Sequence, residues 1–276
     1  MIRSSYIFDN DKVPALALAI HSGHHLPEEL LSISGIGKAE RFREEDPYTD
    51  RIAELFPNRI LPRSSRFAVD LNRVRDKAIY IVPEDCWGLK VRRTPIPDDV
   101  LLKLQIDYDD WYKLLKYQID RLLAIHPFLL VLDLHSFNHR RGGKDAPPDP
   151  QIKNPDIIIG RSNLDHKHYP AAQSLCDLLS SASFQGGTID CRSDVKFTGG
   201  YLSRWLNHHY SDRLICLAIE FKKIFMDEWS GELFAPAFEE LKSLFFHAVR
   251  RWLKETYQIV LMERLLMERR RPRRQP

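Results

Sequence analysis

Apolar residues in this chain come in short runs separated by longer amphipathic stretches. Residues 13–21, "VPALALAIH", read as a strand with a polar end at His21. A charged stretch of helical spacing follows at 38–56, "KAERFREEDPYTDRIAELF", where Pro47 either breaks the helix or opens a second one. Residues 66–73, "RFAVDLNR", alternate as a strand does. A long amphipathic helix is predicted over 98–125 and a strand over 127–134. "DIIIG", 156–160, is a short continuous apolar run of the kind buried inside a sheet. A helix over 169–183, a strand near 188–190, a strand over 214–223 and a closing helix over 234–267 complete the pattern. Strands alternating with amphipathic helices predict an α/β fold, a single-domain three-layer α/β/α architecture around a mixed, largely parallel sheet.

Composition agrees with a globular protein. At 276 residues, 43% of them hydrophobic, the chain can bury a sizeable core. No apolar run approaches the roughly 20 residues that span a bilayer, and "MIRSSYIFDNDK" lacks a signal-type apolar region, so a soluble, cytoplasmic protein with no membrane partner is expected. Cys86, Cys176, Cys191 and Cys216 are scattered without a CxxC pair and read as free thiols. The net charge of +3 is unevenly placed: residues 264–276 hold six arginines against Glu268, a local +5 that leaves −2 for residues 1–263. The chain therefore divides into a domain, 1–263, and a basic tail, 264–276, expected to be solvated. Nucleic acid is not an expected partner of the domain; only the tail has the charge for it.

Chemistry gathers at the strand ends. His21 follows "ALALAI", His135 follows "LLVLDL", Glu220 lies within "CLAIEF", and 66–73 ends in Asn72 and Arg73. The carboxyl ends of strands are where open α/β sheets bind ligands. A hydrolytic zinc site takes about three His, Asp or Glu ligands and keeps a position open for water. His21 and His135 are the nitrogen candidates, an acid of "EEDPYTD" is the third, and His24 and His25 read as bystanders on a loop. Glu220 stands among Leu217, Ala218, Ile219 and Phe221, where an unpaired carboxylate is costly. It is either ion-paired, with Lys222, Lys223 or an arginine, or a general base tuned by burial. Arg73 is either a fork for a substrate carboxylate or a surface arginine beside Asp70 or Asp76.

Together these segments resemble the N-formylglutamate amidohydrolase family. "AIHSGHHLP" is similar to its "PHSG…P" opening, "EDPYTDRIAELF" to its Asp-containing helix start, "SRFAVDLNR" to its "SRYVVDLNR" and "LVLDLHS" to its "DLHS"; "FTGGYLSRW" and "LAIEF" follow in family order. The resemblance runs from His21 to about Phe221. It implies a zinc-carboxypeptidase-like fold, related to aspartoacylase-like deacylases, with one Zn2+ held by His21, Asp46 and His135; Asp50, one helical turn beyond Asp46, is the rival acidic ligand. Glu220 is implied as the catalytic carboxylate, and Asn72 and Arg73 as the grip on the substrate's carboxylate. One of Arg66, Arg140, Arg161 and Arg204 is implied at the oxyanion. The activity implied is zinc-dependent hydrolysis of the amide of an N-formyl-type N-acyl amino acid; another amide substrate, or an inactive binding protein of this fold, are the alternatives. Two departures stand out. Ile20 replaces the family's proline, and residues 74–94 lack the family's wording, which bears on the substrate pocket more than on the reaction.

Overall fold

The computed structural model describes residues 2–261. Its strands are β1 (Ser4–Phe8), β2 (Ala15–Leu18), β3 (Asn58–Pro62), β4 (Leu129–Phe137), β5 (Ile157–Gly160), β6 (Ser183–Phe184), β7 (Gly187–Thr188), β8 (Cys191–Ser193) and β9 (Leu214–Lys222). Seven of them form one sheet in the order β1-β3-β2-β4-β9-β5-β8, while β6 and β7 make a separate hairpin. Within the seven-stranded sheet β1–β3 and β5–β9 pair antiparallel and the other neighbouring pairs are parallel. The sheet is mixed and mostly parallel, as predicted.

Helices cover both faces: α1 (Glu28–Leu31), α2 (Lys38–Glu44), α3 (Thr49–Ala53), α4 (Asp98–Ile125), α5 (Tyr169–Ser180), α6 (Tyr201–Tyr210) and α7 (Ala235–Tyr257). Strand side chains alternate between faces, so the sheet sorts its apolar residues into two cores. Ala15, Ala17, Leu130 and Leu132 pack with Ile52, Leu175 and Trp252 of α3, α5 and α7. Leu16, Leu18, Leu129 and Val131 pack with Leu115 and Leu206 of α4 and α6. Helix α4 matches its sequence reading. Asp98 and Asp99 open it with charge that suits a helix N-terminus, and Leu104, Tyr108, Trp111, Leu115, Ile119 and Leu122 bury one stripe. No helix among the described residues is long and apolar enough to cross a membrane.

The second face does not stay apolar. On β4, Leu129 and Val131 give way to Asp133 and His135 on the same face; on β9, Leu214 and Cys216 give way to Ala218 and Glu220. The first face stays apolar through Leu134 and Ile219. The core therefore ends early on one side of the two central strands, and a polar cavity begins there.

Four expectations need correction. Residues 66–73 form turns instead of a strand. Ala68 N and Val69 N both donate to Ser65 O, and Arg73 N donates to Asp70 O. Two further carbonyls are met by side chains, Arg92 on Phe67 O and Tyr112 on Leu71 O, so Phe67, Val69 and Leu71 are buried without a ladder. His135 lies inside β4, which runs on to Phe137, instead of beyond its end. The strand placed near 188–190 is split: Gly187–Thr188 closes the hairpin, and the main sheet takes Cys191–Ser193. The closing helix ends at Tyr257, where Gln258 adopts a left-handed φ of 58°. Residues 262–267 of its predicted span, and the tail 264–276, lie outside the described residues. Four cysteines are free and buried, as read.

Glu228 clamps the segment that follows β4. Its carboxylate accepts from His139 N at 2.8 Å, Arg140 N at 3.1 Å and Arg43 Nη2 at 3.2 Å. Burial opposes the charge, but His139 and Arg43 outweigh it and hold the Glu228 pKa down at about 2, against an ordinary 4.5. The charged clamp therefore stabilises fully above about pH 4.5 and is lost as the pH falls towards 2. Glu228→Gln is expected to lower unfolding free energy by about 1.5–3 kcal/mol at neutral pH. In urea titrations across pH, the gap to wild type should close between pH 4.5 and about 2; a pH-independent gap would show that the charge is not the source.

Candidate active site

Parallel pairing sets the ends of β2 and β4 side by side, and both carry histidine. Beyond Leu18 the chain turns, with Ser22 N on Ala19 O, and presents His21. Gly23 permits this turn: a Cβ there would lie 2.4 Å from the Arg63 carbonyl carbon. Asp46 comes from the loop between α2 and α3, where Pro47 ends one helix before the next begins. That loop is tied directly to the histidine turn, since Asp46 N donates to His21 O at 3.0 Å.

The three side chains converge. Asp46 Oδ2 accepts from His135 Nδ1 at 2.9 Å and lies 3.3 Å from His21 Nδ1, and one donor atom from each residue lies within 4.8 Å of the others. All three residues are buried. Each imidazole has a second carboxylate at its far nitrogen. His21 Nε2 donates to Asp70 Oδ1 at 2.7 Å, and His135 Nε2 lies 3.0 Å from Asp133 Oδ1. Asp70 is itself held by Arg66 Nη2 at 2.8 Å, by the Tyr80 hydroxyl and by Asn72 N at 2.8 Å.

Titration follows from these contacts. Burial alone would raise the Asp46 carboxyl, but His135 and His21 hold it well below the usual carboxylate range. Asp70 is likewise low: burial opposes its charge, and Arg66 and His21 prevail. Burial also opposes an imidazolium at His135, yet the Asp133 charge raises its pKa well above normal. Glu220, the register partner of His135, behaves differently. Burial pushes its carboxyl up to about 7.

His21, Asp46, Arg66, Asp70, His135 and Glu220 line one cavity of about 620 Å³ together with Glu44, Asn72, Arg73, Trp87, Lys196, Lys223 and the stretch Thr198–Gly200. The sequence profile of the N-formylglutamate amidohydrolase family matches residues 13–226, a span that holds every residue of this cavity. The chain belongs to the N-formylglutamate amidohydrolase family. Among solved structures it is similar to N-formylglutamate amidohydrolase from Ralstonia eutropha, at 14% identity over 93% of this chain and 100% of that one, with a TM-score of 0.70. A gene product of Agrobacterium tumefaciens is similar at 16% identity, over 89% of this chain and 94% of that one, with a TM-score of 0.62. At such identities the likeness concerns the fold. No curated protein matches the chain.

All six site residues read from the sequence of this family member line the cavity: His21, Asp46, Asn72, Arg73, His135 and Glu220. Asp50 does not join the cluster; it lies in the first turn of α3. His24 pairs with Glu45 at 2.5 Å, and His25 lines a different pocket. The lysines weighed as partners of Glu220 go elsewhere. Lys222 binds Asp156, and Lys223 donates to Arg43 O, Glu45 O and Asn138 Oδ1 at 2.6, 2.8 and 2.9 Å. Among the described residues Glu220 has no ion pair or hydrogen bond of its side chain. Of the four arginines named for the oxyanion, Arg66 alone lines the cavity; Arg140 binds Ala146 O, Arg161 binds Asp194, and Arg204 lines another pocket.

The roles of several residues at the site escaped the sequence reading. Asp133 had a signal, being two positions before His135 on the same strand face. Asp70 reaches His21 from 49 residues away and had none. Lys223, buried beneath the cavity, fixes the backbone just before Asp46. Trp87, from the divergent segment 74–94, stacks beneath Arg66 at 4.9 Å and forms part of the wall.

Asn72 does two jobs of position. Its Oδ1 accepts from Leu202 N at 3.0 Å and its backbone carbonyl from Tyr201 N at 3.2 Å, so it receives the first turn of α6. Gly200 packs against it so closely that a Cβ would fall 2.2 Å from both Asn72 side-chain polar atoms. Gly200→Ala must push Asn72 off the helix end. A stability loss of about 1–3 kcal/mol is expected in chemical denaturation; an alanine variant as stable as wild type would mean that this contact is loose.

Proposed function

We propose that the chain hydrolyses the amide bond of an N-formyl-type N-acyl amino acid, with a divalent metal, zinc by donor chemistry, held by His21, Asp46 and His135. The observation that carries this reading is the joining, in one cavity, of a buried His–Asp–His cluster with an unpaired carboxylate, Glu220.

The residues fit a metal. His21 Nδ1 is buried and has no hydrogen-bond partner. Ligands on a tetrahedral ion with bonds of about 2.0–2.1 Å stand roughly 3.3–3.4 Å apart, and the separations of Asp46 Oδ2 from His21 Nδ1 and His135 Nδ1 are 3.3 and 2.9 Å. The carboxylates at the far nitrogens, Asp70 and Asp133, are the partners that orient metal-bound imidazoles and raise their basicity. A divalent ion in this set would supply Lewis acidity, lowering the pKa of water and polarising a carbonyl.

Glu220 does the proton work. Burial, which raises its carboxyl pKa, suits it to take a proton from the attacking water and return it to the leaving nitrogen. Water adds to the amide carbon, the C–N bond breaks, and the products are an acid and a free amino acid. Arg73 holds the substrate's carboxylate. Its Nε stays 3.8 Å from Asp70 Oδ2 and its guanidinium makes no hydrogen bond among the described residues, so its donors are available for a bidentate grip. Asn72, fixed at the end of α6, supports that grip.

Glu220→Gln is expected to lower kcat on N-formyl-L-glutamate by about 10²–10⁴-fold while metal content is unchanged. Arg73→Ala should act instead on KM, raising it about 10–100-fold. Steady-state kinetics checks both. Full activity of the Glu220 variant would overturn the proposed role.

A further inference from the structure

We propose that β1 is a dimerisation edge: two copies of this chain pair their β1 strands antiparallel about a two-fold axis at Tyr6, joining their seven-stranded sheets into one. The inference is independent of the proposed function.

The sheet ends in two different edges. Strand β8 is three residues long and carries Arg192, and a short strand bearing charge is guarded against further pairing. Strand β1 has five half-buried residues, Ser4, Ser5, Tyr6, Ile7 and Phe8, with no charge and no proline among them. Its inner side is fixed by β3. Arg63 N donates to Arg3 O at 2.6 Å and Asp9 N to Pro57 O at 3.0 Å. Bonded and non-bonded pairs alternate along an antiparallel ladder, so Arg3, Ser5, Ile7 and Asp9 are the positions that bond towards β3. Ser4, Tyr6 and Phe8 therefore turn their N–H and C=O groups outward. Pro62 agrees with this parity: it stands opposite Ser4, where no N–H is needed. Among the described residues no loop, turn or neighbouring strand bonds to the outward groups.

The edge is its own complement. Reversed about Tyr6, Tyr6 meets Tyr6 of the second copy and Ser4 meets its Phe8. All three positions bond outward, and each such pair exchanges two hydrogen bonds, so every outward group is used. The same register sets Arg3 opposite Asp9 at both ends of the strand, an attractive cross-strand pair. A slip of one residue loses the bonding parity, and a slip of two loses the charge match.

A groove receives the side chains. Tyr6 and Phe8 lie on the face covered by α4, and Ser4 Oγ accepts there from Trp111 Nε1 at 3.2 Å. Between β1 and α4 lies a cavity of about 390 Å³, lined by Ser4, Tyr6, Trp111 and the exposed Leu114. Residues opposite one another in a sheet project to the same face. Phe8 of the second copy, beside Ser4, therefore enters this groove and covers Trp111 and Leu114. One strand thus supplies both the bonds and the apolar side chain that the edge lacks.

Sedimentation of the full chain at micromolar concentration should give a dimer, with the amides of Ser4, Tyr6 and Phe8 protected from hydrogen exchange and released on dilution. Ser4→Pro removes an outward N–H and leaves the backbone bonds to β3 in place, so it should raise the dissociation constant about 10–100-fold with the circular dichroism unchanged. Arg3→Asp and Asp9→Arg should each weaken the dimer by facing like charge with like. Mixed together they should form a heterodimer, because each then faces its opposite; a variant that had merely misfolded would not be rescued. A dimer whose amides at 4, 6 and 8 exchange freely, a Ser4→Pro protein that associates like wild type, or mixed variants that stay apart would overturn the proposal. So would a monomer, and protected edge amides in that monomer would show that the same chain covers β1.

Discussion

A single carboxylate oxygen, Asp46 Oδ2, faces the Nδ1 atoms of two buried histidines, and much of the fold serves to hold it there. Charged groups are taken out of water only when partners replace it. The partners come from well-separated parts of the chain: β2 and its turn give His21, the α2–α3 loop gives Asp46, the turns at 66–73 give Asp70, and β4 gives Asp133 and His135. Parallel pairing of β2 with β4 brings the two histidines together, and the backbone bond from Asp46 to His21 O fixes the loop. Within this knot Asp46, Asp70, Asp133 and Glu220 face two imidazoles, Arg66 and Arg73. That density of carboxylate is the environment a divalent cation suits.

Much of this was legible because the chemistry is local. Helix α4 shows its buried stripe and acidic start in the sequence and occupies the predicted residues. The histidines and Glu220 stand out because polar residues interrupt apolar strands. Other parts left no such mark. Strand β3 was missed because Asn58 and Arg59 are buried in it: Asn58 Nδ2 donates to Val13 O and Ala15 O, and Arg59 Nη1 to Phe56 O, so polar side chains stand where periodicity looks for apolar ones. Residues 66–73 misled in the opposite direction. Their alternation is real burial, but tertiary side chains satisfy the backbone, and pattern alone does not separate that from a strand. Asp70 shows the same limit at the site, since only the fold brings it to His21.

On the proposed function, reaction and the rest of the cavity part company in the fold. Glu220 and the His–Asp–His cluster lie on central strands or on loops and turns pinned to them, where register fixes their spacing. Trp87 and Thr198–Gly200, which line another part of the cavity, lie on connecting segments, which can vary without disturbing the sheet. Residues 74–94 differ from the family's wording, yet they supply Tyr80 to Asp70 and Trp87 to the wall. That segment serves both parts.

The central claim is that the His–Asp–His cluster is a metal centre, and elemental analysis of the purified protein after incubation with zinc and removal of excess tests it most directly. About one zinc per chain in wild type, lost in both His21→Ala and His135→Ala while the variants remain folded, is the predicted result. A folded wild type that takes up no zinc or other divalent ion, or variants that keep it in full, would contradict the account.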